Sequence, residues 1–169
     1  ITEALYSEVN RAANYYQMVA DSFDLALSTK AKLALINLFI ETKVELEQIA
    51  LSSESMRIEA IEADAMMAYT SIDSSDFLSL PFIESIYSRL GLAKSLLKVQ
   101  EKIASSSFNG VLSNVESLII AATADAESLG NSRALAFAYE TLADFYVQKD
   151  AANLNFAITR YKEALSLAQ

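Results

Sequence analysis

The sequence predicts an all-α fold, an α-solenoid of stacked antiparallel helix hairpins. The 169 residues include only three glycines and one proline, which disfavours an architecture rich in strands and turns. Hydrophobic residues make up 53% of the chain, enough to bury a continuous core. Apolar residues recur at spacings of three and four almost from end to end, which is the period of amphipathic helices. We therefore predict one helical domain over residues 1–169.

About seven helices follow from this periodicity and from residues that begin or end helices. Pro81 suits a first helical turn, where its missing N–H would have no partner. Ser105 to Gly110 form a turn-rich stretch, and Gly130 is placed to end a helix in the left-handed conformation. In chain order, the predicted helices cover residues 2–27, 29–51, 53–71, 81–105, 111–129, 132–148 and 152–169.

The first three predicted helices differ in how much of their surface is apolar. The second is apolar over most of its circumference in residues 33–40, which predicts burial on two sides. The polar residues 71–79 then interrupt the pattern and are predicted to form a loop. Buried positions predicted for the first and third helices are Leu5, Val9, Ala13, Tyr16, Ala20 and Phe23, and Met56, Ala60, Ala63 and Met67.

Each of the last four predicted helices has one apolar face at helical spacing. Because their connections are short, successive helices are expected to pack as antiparallel hairpins. The predicted buried positions are Ile83, Tyr87, Leu90, Ala93 and Leu97; Val115, Leu118, Ile119, Ala122 and Ala126; Leu135, Tyr139, Leu142, Ala143 and Tyr146; and Leu154, Ala157, Ile158, Tyr161, Ala164, Leu165 and Ala168.

The chain has no histidine and no cysteine, and this excludes many kinds of active site. Cys-His and Ser-His-Asp machinery, zinc sites built from Cys and His, and haem held by those residues cannot be assembled from it. We therefore expect a protein that is not an enzyme and that has no cofactor and no metal site. Without cysteine there is also no disulfide framework from which to infer the compartment.

The formal net charge of -9 bears on the partners. Binding a nucleic acid depends on neutralising phosphates, so an acidic chain is not expected to bind one, and anionic membranes are disfavoured for the same reason. The longest apolar runs are too short to span a bilayer. We expect a soluble protein, either in the cytoplasm or in the periplasm or secreted, and a fragment of a longer chain, since it begins at Ile1.

Two hairpins share a repeated motif. In the last one, Tyr139-x-x-Leu142-Ala143-x-x-Tyr146 is followed by Ala157-x-x-x-Tyr161-x-x-Ala164. The preceding hairpin contains Tyr87-x-x-Leu90-Gly91-x-x-Lys94 and then Val115-x-x-x-Ile119-x-x-Ala122, departing from the template at Lys94. The motif resembles the tetratricopeptide repeat, although the spacing between helices is longer than its consensus of about 34 residues.

A closer resemblance lies in residues 29–42 (TKAKLALINLFIET), 80–99 (LPFIESIYSRLGLAKSLLKV) and 124–169. These segments look like the repeat region of bacterial, especially cyanobacterial, tetratricopeptide proteins that often continue into a CHAT domain. The resemblance implies a scaffold that binds a partner protein, a peptide or an adjacent caspase-like domain. The first and third predicted helices match no repeat motif closely.

The resemblance also implies that the first helix of each hairpin lines a concave groove. The groove positions carried over to this chain are Phe137, Glu140, Asp144 and Gln148 on the sixth predicted helix, and Ser88, Leu92 and Ser95 on the fourth. An acidic groove favours a basic or neutral peptide through charge complementarity. The alternative is an ordinary solvated face, or a face packed on a neighbouring repeat.

Other groupings carry weaker functional hypotheses. Lys94, Lys98 and Lys102 form a stripe that could contact an anion, but a solvated helix edge is the preferred interpretation. Paired carboxylates can act as acid and base or bind a hard cation. Here the pairs lack any accompanying motif, and solubility is the preferred interpretation of Glu59 with Glu62 and of Asp73 with Asp76. Met56, Met66 and Met67 are predicted to fill gaps in the core rather than to form a binding patch.

We therefore expect a non-catalytic protein-interaction scaffold. Two alternatives remain open: a helical bundle that binds a small apolar ligand between its helices, and an enzyme that uses carboxylates alone. Apolar faces at both ends of the repeat array predict further repeats or a homodimer through the terminal helices.

Overall fold

The computed structural model describes residues 2–48, 55–102, 112–149 and 153–167. Within these residues the protein is helical and contains no strand, which confirms the predicted all-α fold. There are eight described helices rather than seven. In chain order they are α1 (Thr2–Ala20), α2 (Leu25–Gln48), α3 (Ser55–Ser71), α4 (Ser74–Leu78), α5 (Phe82–Lys102), α6 (Leu112–Leu129), α7 (Ser132–Lys149) and α8 (Leu154–Leu167).

The helices group into two compact units, residues 1–80 and 81–169. In the first unit, α2 packs against both α1 and α3, and α4 contacts α2. In the second unit, α5 packs against α6 and α7, and α7 also packs against α6 and α8. Helices thus pack on their neighbours in the chain, as stacked hairpins do. A single domain over residues 1–169 stays a prediction.

The first helix is shorter than predicted. It ends at Ala20, and α2 begins at Leu25 after a short turn. The Asp24 carboxylate accepts a hydrogen bond from the backbone N–H of Leu27 and caps the start of α2. The Ser22 hydroxyl accepts from the backbone N–H of Asp24 within the turn. Phe23, predicted to be buried, lies in this turn and is fully exposed.

The apolar centre of α2 is the core of the first unit, as its sequence predicts. Leu35, Ile36, Phe39 and Ile40 are completely buried. A helix that is apolar all round has to be covered on more than one side, and the contacts of α2 with both α1 and α3 provide that cover.

The predicted apolar face of the third helix was wrong. Ala65 and Ala68 of α3 are buried, whereas Met67 is exposed and therefore does not fill a gap in the core. Met66 is half-buried, and the side chains of Met56 and Ala60 lie outside the described residues. Small residues face α2 here, which lets the two backbones approach closely.

The short helix α4 replaces the loop predicted for residues 71–79. Asp73 is its N-cap: its carboxylate accepts from the backbone N–H groups of Ser75 and Asp76, and the Asp76 carboxylate accepts from the Asp73 N–H at 2.8 Å. This reciprocal capping box satisfies donors that a helix start otherwise leaves unpaired. Hydrogen bonds from the side chain and backbone of Ser75 hold the pKa of Asp73 below its usual value.

Asp76 also ties α4 to α2. Its carboxylate accepts from the Thr29 hydroxyl at 3.2 Å and lies 3.5 Å from the Lys32 ammonium. Asp76 and Thr29 are buried, so the interpretation of Asp76 as a solubility residue was wrong. A buried carboxylate is tolerated only where a cation and hydrogen bonds compensate for its lost water.

In the second unit, the residues predicted to face the core from α5, α6 and α7 are buried or half-buried, with one exception. Ile83 is exposed, and Ile86 takes the buried position that the pattern gave to Ile83. Gly130, which follows α6, has a positive φ of 64°, as predicted for a left-handed helix terminator. Buried side chains along the three helices include Leu90, Ala93 and Leu97; Val115, Ile119, Ala122 and Ala126; and Leu142 and Ala143.

The predicted face of the last helix was mostly wrong. Only Ala157 and Ala164 of α8 are buried against the rest of the unit. The larger apolar residues assigned to the same face, Leu154, Ile158, Tyr161 and Leu165, are exposed. The side chain of Ala168 lies outside the described residues.

Replacing Asp76 by alanine is expected to lower the free energy of unfolding by about 3 kcal/mol, because it leaves Lys32 buried without its carboxylate and opens the capping box. Urea denaturation followed by circular dichroism measures this. The matched control is Glu8→Ala, which removes a largely exposed ion pair with Arg11 and is expected to cost less than about 0.5 kcal/mol. Equal losses in the two variants would contradict the role assigned to Asp76.

Candidate functional site

The predicted groove positions lie on α5 and α7, which pack side by side in the second unit. Phe137, Glu140, Asp144 and Gln148 follow one another at spacings of three and four, so they share one face of α7. Three of these side chains meet a lysine from α5.

That lysine is Lys94, and it contacts three side chains of α7. Its ammonium lies 2.5 Å from Glu140 Oε1 and 3.9 Å from Asp144 Oδ2. It also sits 5.1 Å from the centroid of the Phe137 ring, in the position of a cation–π contact. Lys94 is therefore not the solvated helix edge that the lysine stripe suggested. The side chain of Lys102, at the other end of that stripe, lies outside the described residues.

Tyr161 joins the same group from α8. Its hydroxyl donates to Asp144 Oδ1 at 2.5 Å, so the Asp144 carboxylate lies between a phenol and an ammonium. Burial of the phenol raises the pKa of Tyr161 well above its ordinary value of 10.0, and the hydrogen bond to Asp144 and the charges of Asp144 and Glu140 raise it further. We call Lys94, Phe137, Glu140, Asp144 and Tyr161 the Lys94 cluster.

An open pocket of about 340 Å³ lies beside the cluster. Its lining comes from α5, α7 and α8 and comprises Lys94, Leu97, Lys98, Asp144, Val147, Gln148 and Tyr161. Leu97 and Val147 supply the aliphatic part, and the other residues supply charge and hydrogen-bonding groups. The Gln148 side-chain oxygen is buried and has no hydrogen-bond partner among the described residues. Such a lining suits a side chain that combines an apolar stem with a polar end.

The three groove positions predicted on α5 have different surroundings. Ser88 and Ser95 are half-buried. Leu92 has only 2% of its surface exposed, so a partner cannot contact it and its assignment to the binding surface was wrong. Tyr87, one residue before Ser88, instead stacks on Phe137 with 6.0 Å between ring centroids.

The described carboxylates of the two predicted pairs, Glu62, Asp73 and Asp76, each make structural contacts. Glu62 lies 3.4 Å from the Lys43 ammonium in a mostly buried ion pair. The side chain of Glu59 lies outside the described residues. In the part of the chain that the structure describes, no group of three or more acidic side chains could hold a metal ion.

Tyr161, Leu97 and Val147 are site residues that sequence reasoning did not assign. Tyr161 and Leu97 were identified in the sequence, but both were assigned to the core. An aromatic ring long enough to reach from α8 to Asp144 can contact both the helix seam and the groove. Nothing in the pattern around Val147 distinguishes it from other exposed apolar residues.

Comparisons with known proteins do not assign this chain to a family. No protein-family model, no curated protein and no solved structure matches this chain. No helix among the described residues is both long enough and apolar enough to cross a membrane.

Replacing Lys94 by methionine is expected to lower the free energy of unfolding by about 1 kcal/mol, because Glu140 and Asp144 lose their shared cation and Phe137 its cation–π contact. The loss should shrink in about 1 M salt, which screens the remaining carboxylates. Urea denaturation at low and high salt measures both effects.

Lys149→Met is the control for this variant. Among the described residues, Lys149 pairs with one carboxylate, Glu116 at 2.9 Å, and it lies 5.2 Å from the Phe145 ring centroid. Its loss should be smaller and should depend less on salt. A Lys94 variant no less stable than the Lys149 variant would show that the cluster is not held together by Lys94.

Tyr161→Phe is expected to change how stability depends on pH. Folding raises the pKa of Tyr161 above its ordinary value of 10.0, so the folded state favours the protonated phenol. This contribution to the free energy of unfolding is fully present below pH 10.0 and is lost as the pH rises through the pKa of the folded state. The wild type should therefore lose stability above about pH 10 more steeply than the variant. Unfolding free energies at about pH 8 and about pH 11 measure the difference. Tyr15→Phe, at an exposed ring, serves as the control, and parallel curves for wild type and Tyr161→Phe would contradict the assignment.

Proposed function

We propose that this chain is a non-catalytic, tetratricopeptide-like scaffold that binds a partner protein or peptide in the groove between α5 and α7. The observation that carries the proposal is the convergence of Phe137, Glu140 and Asp144 on Lys94 beside an open pocket. Three of the seven groove positions implied by the repeat resemblance thus lie beside Lys94 of α5, and Asp144 also contacts Tyr161 of α8. A preformed cleft with an ordered wall binds an extended segment at low entropic cost.

The packing order of the second unit supports this proposal. Helices α5 and α7 begin successive hairpins, α5–α6 and α7–α8, and they also contact each other. In an array of stacked hairpins, contacts between the first helices create one continuous face.

The charges of the cluster favour a neutral segment over a strongly basic one. Glu140 and Asp144 already share Lys94, and Asp144 also accepts from Tyr161. A basic ligand would have to compete with Lys94 for these carboxylates, and Lys98 lies in the same pocket. Val147 is 46% exposed and offers an apolar contact above the buried Leu97. An aliphatic or aromatic anchor residue with a polar neighbour is therefore the ligand that this pocket suits.

Several partners satisfy this description. They include a separate protein, a free peptide, and the adjacent CHAT-type domain that the resemblance to bacterial proteins implies. A small apolar ligand is less well suited, because five of the seven lining residues carry a charged or polar group. An enzyme built on carboxylates is disfavoured, since Glu62, Asp76, Asp125 and Glu140 are each paired with a lysine or arginine.

The test is to block the pocket without breaking the cluster. Val147 is 46% exposed and lines the pocket, so Val147→Trp should fill the entrance and leave the Lys94 contacts intact. A photoreactive amino acid placed at position 144 would disturb Tyr161, so position 95 on α5 is the better place for a crosslinker. Wild type should crosslink a partner segment from a lysate of the source organism, and mass spectrometry identifies that segment. Val147→Trp should reduce the yield by at least about tenfold.

Ile120→Trp is the matched control. Ile120 is exposed to a similar extent, 54%, but lies on α6 away from the pocket. It should crosslink as the wild type does, and circular dichroism should show both variants folded. Equal crosslinking by the wild type and Val147→Trp, or the same loss with Ile120→Trp, would contradict groove binding.

A further inference from the structure

The pocket beside the Lys94 cluster has a hydrogen-bond acceptor in its wall. Tyr161 donates to Asp144 Oδ1, whereas Asp144 Oδ2 lies 3.9 Å from the Lys94 ammonium, which is beyond hydrogen-bond distance. No other side chain among the described residues donates to this carboxylate. All three residues line the pocket, and each carboxylate oxygen has two lone pairs. Oδ2 can therefore accept a hydrogen bond from a ligand.

Gln148, one turn further along α7, supplies a donor. Its side-chain oxygen is buried and has no hydrogen-bond partner among the described residues. The amide nitrogen is then the polar atom through which Gln148 lines the pocket. Residues four apart share one face of a helix, with their Cβ atoms about 5–6 Å apart. Asp144 and Gln148 therefore place an acceptor and a donor side by side.

The other polar groups of the pocket do not replace this pair. The Lys94 ammonium is engaged with Glu140 at 2.5 Å. Lys98 adds a second donor to the pocket but no acceptor. The Tyr161 hydroxyl donates its proton to Asp144, and a neutral phenol oxygen is a weaker acceptor than a carboxylate. An N–H group of a ligand therefore finds its strongest acceptor in this pocket at Asp144.

The main chain of an extended segment offers the complementary groups. One residue of such a segment presents its own N–H and C=O on the same edge, as in a β-ladder. Its side chain stands away from that edge and can contact Val147, which is 46% exposed above the buried Leu97. A carboxamide side chain also carries a donor and an acceptor, but it has no apolar part for Val147. An apolar anchor residue therefore satisfies all three contacts.

We propose that Asp144 and Gln148 hold the main chain of the anchor residue, a role that rests on the proposed function of the groove. Asp144 Oδ2 accepts from the N–H of that residue, and the Gln148 amide donates to its C=O. Hydrogen bonds to the main chain do not depend on which side chain the residue carries. The groove should therefore accept several aliphatic or aromatic anchors in one extended backbone conformation.

The probe is a neutral peptide, acetyl-Ser-Gly-Leu-Gly-Ser-amide, and two N-methylated forms of it that have equal mass. One carries the methyl group on the leucine nitrogen, which removes the N–H assigned to Asp144. The other carries it on the following glycine, whose N–H points to the opposite edge of an extended chain. Titration of the isotope-labelled full chain, followed by the NMR shift of the Val147 amide, measures each Kd. The leucine-methylated form should bind at least about tenfold more weakly than the glycine-methylated form.

Two variants test the two halves of the pair. Asp144→Asn replaces one carboxylate oxygen by an NH₂ group, so the two methylated peptides should bind it equally. Gln148→Met removes the donor at similar side-chain length and should weaken binding of the unmethylated peptide at least about fivefold. Gln17→Met, at a half-buried glutamine of α1 in the first unit, is the matched control and should bind as the wild type does. Circular dichroism should show all three variants folded.

Equal binding of the two methylated peptides to the wild type would overturn main-chain recognition, and so would unchanged binding by Gln148→Met. Either result leaves groove binding itself intact. Failure of all three peptides to bind at millimolar concentration would also overturn it, because contacts to the main chain do not need the partner's own sequence. Crosslinking with Val147→Trp decides the proposed function separately, so the two proposals can fail independently.

Discussion

Close approach of helices through small residues is the constraint on which the second unit depends. Ala138 and Ala143 of α7 and Ala157 and Ala164 of α8 are all buried. Without large side chains at these positions, the backbones come near enough for long side chains on the flanks to meet. The chain has no disulfide and no His or Cys with which to bind zinc, so its stability has to come from such packing and from hydrogen bonds within it.

The Lys94 cluster follows from that close packing. Lys94 comes from α5, Phe137, Glu140 and Asp144 from α7, and Tyr161 from α8. Contacts of this kind order one wall of the pocket before any ligand is present, which lowers the conformational entropy lost on binding. The same contacts satisfy the carboxylates, so the acidic groove expected from the sequence is much closer to neutral in the folded protein.

Predictions from the sequence were correct where a single strong feature, such as an apolar run or a glycine, determined the local structure. The apolar run of α2 predicted complete burial of Leu35 and Phe39, and Gly130 ended α6 with positive φ. The predictions failed where two signals of similar strength competed. Periodicity carried the first helix through Phe23, although Asp24 was available as a cap. In α8, periodicity could not show which apolar residues face α7, because alanines take that side.

Predictions for the candidate site were limited in the same way, because periodicity does not show which side chains of different helices meet. The repeat pattern placed Phe137, Glu140 and Asp144 on one face of α7, but the spacing within one helix does not indicate that a lysine of α5 contacts all three. The prediction that Leu92 lines the groove was wrong, because residues on one face of a helix can be exposed at one turn and packed against a neighbouring helix at the next. Lys94 departs from the repeat template, and its contacts show that an exception to a motif can mark an interaction as well as a degenerate position.

The helix α4 has only five residues, too few to be stable by itself. Its N-terminal carboxylate, Asp76, is held by Thr29 and Lys32 of α2. Fraying of this segment therefore requires breaking buried bonds to α2, and its amide protons should exchange together with those of α2 rather than independently. In folding terms, α4 belongs to the cooperative unit formed by α2, although it follows α3 in the chain.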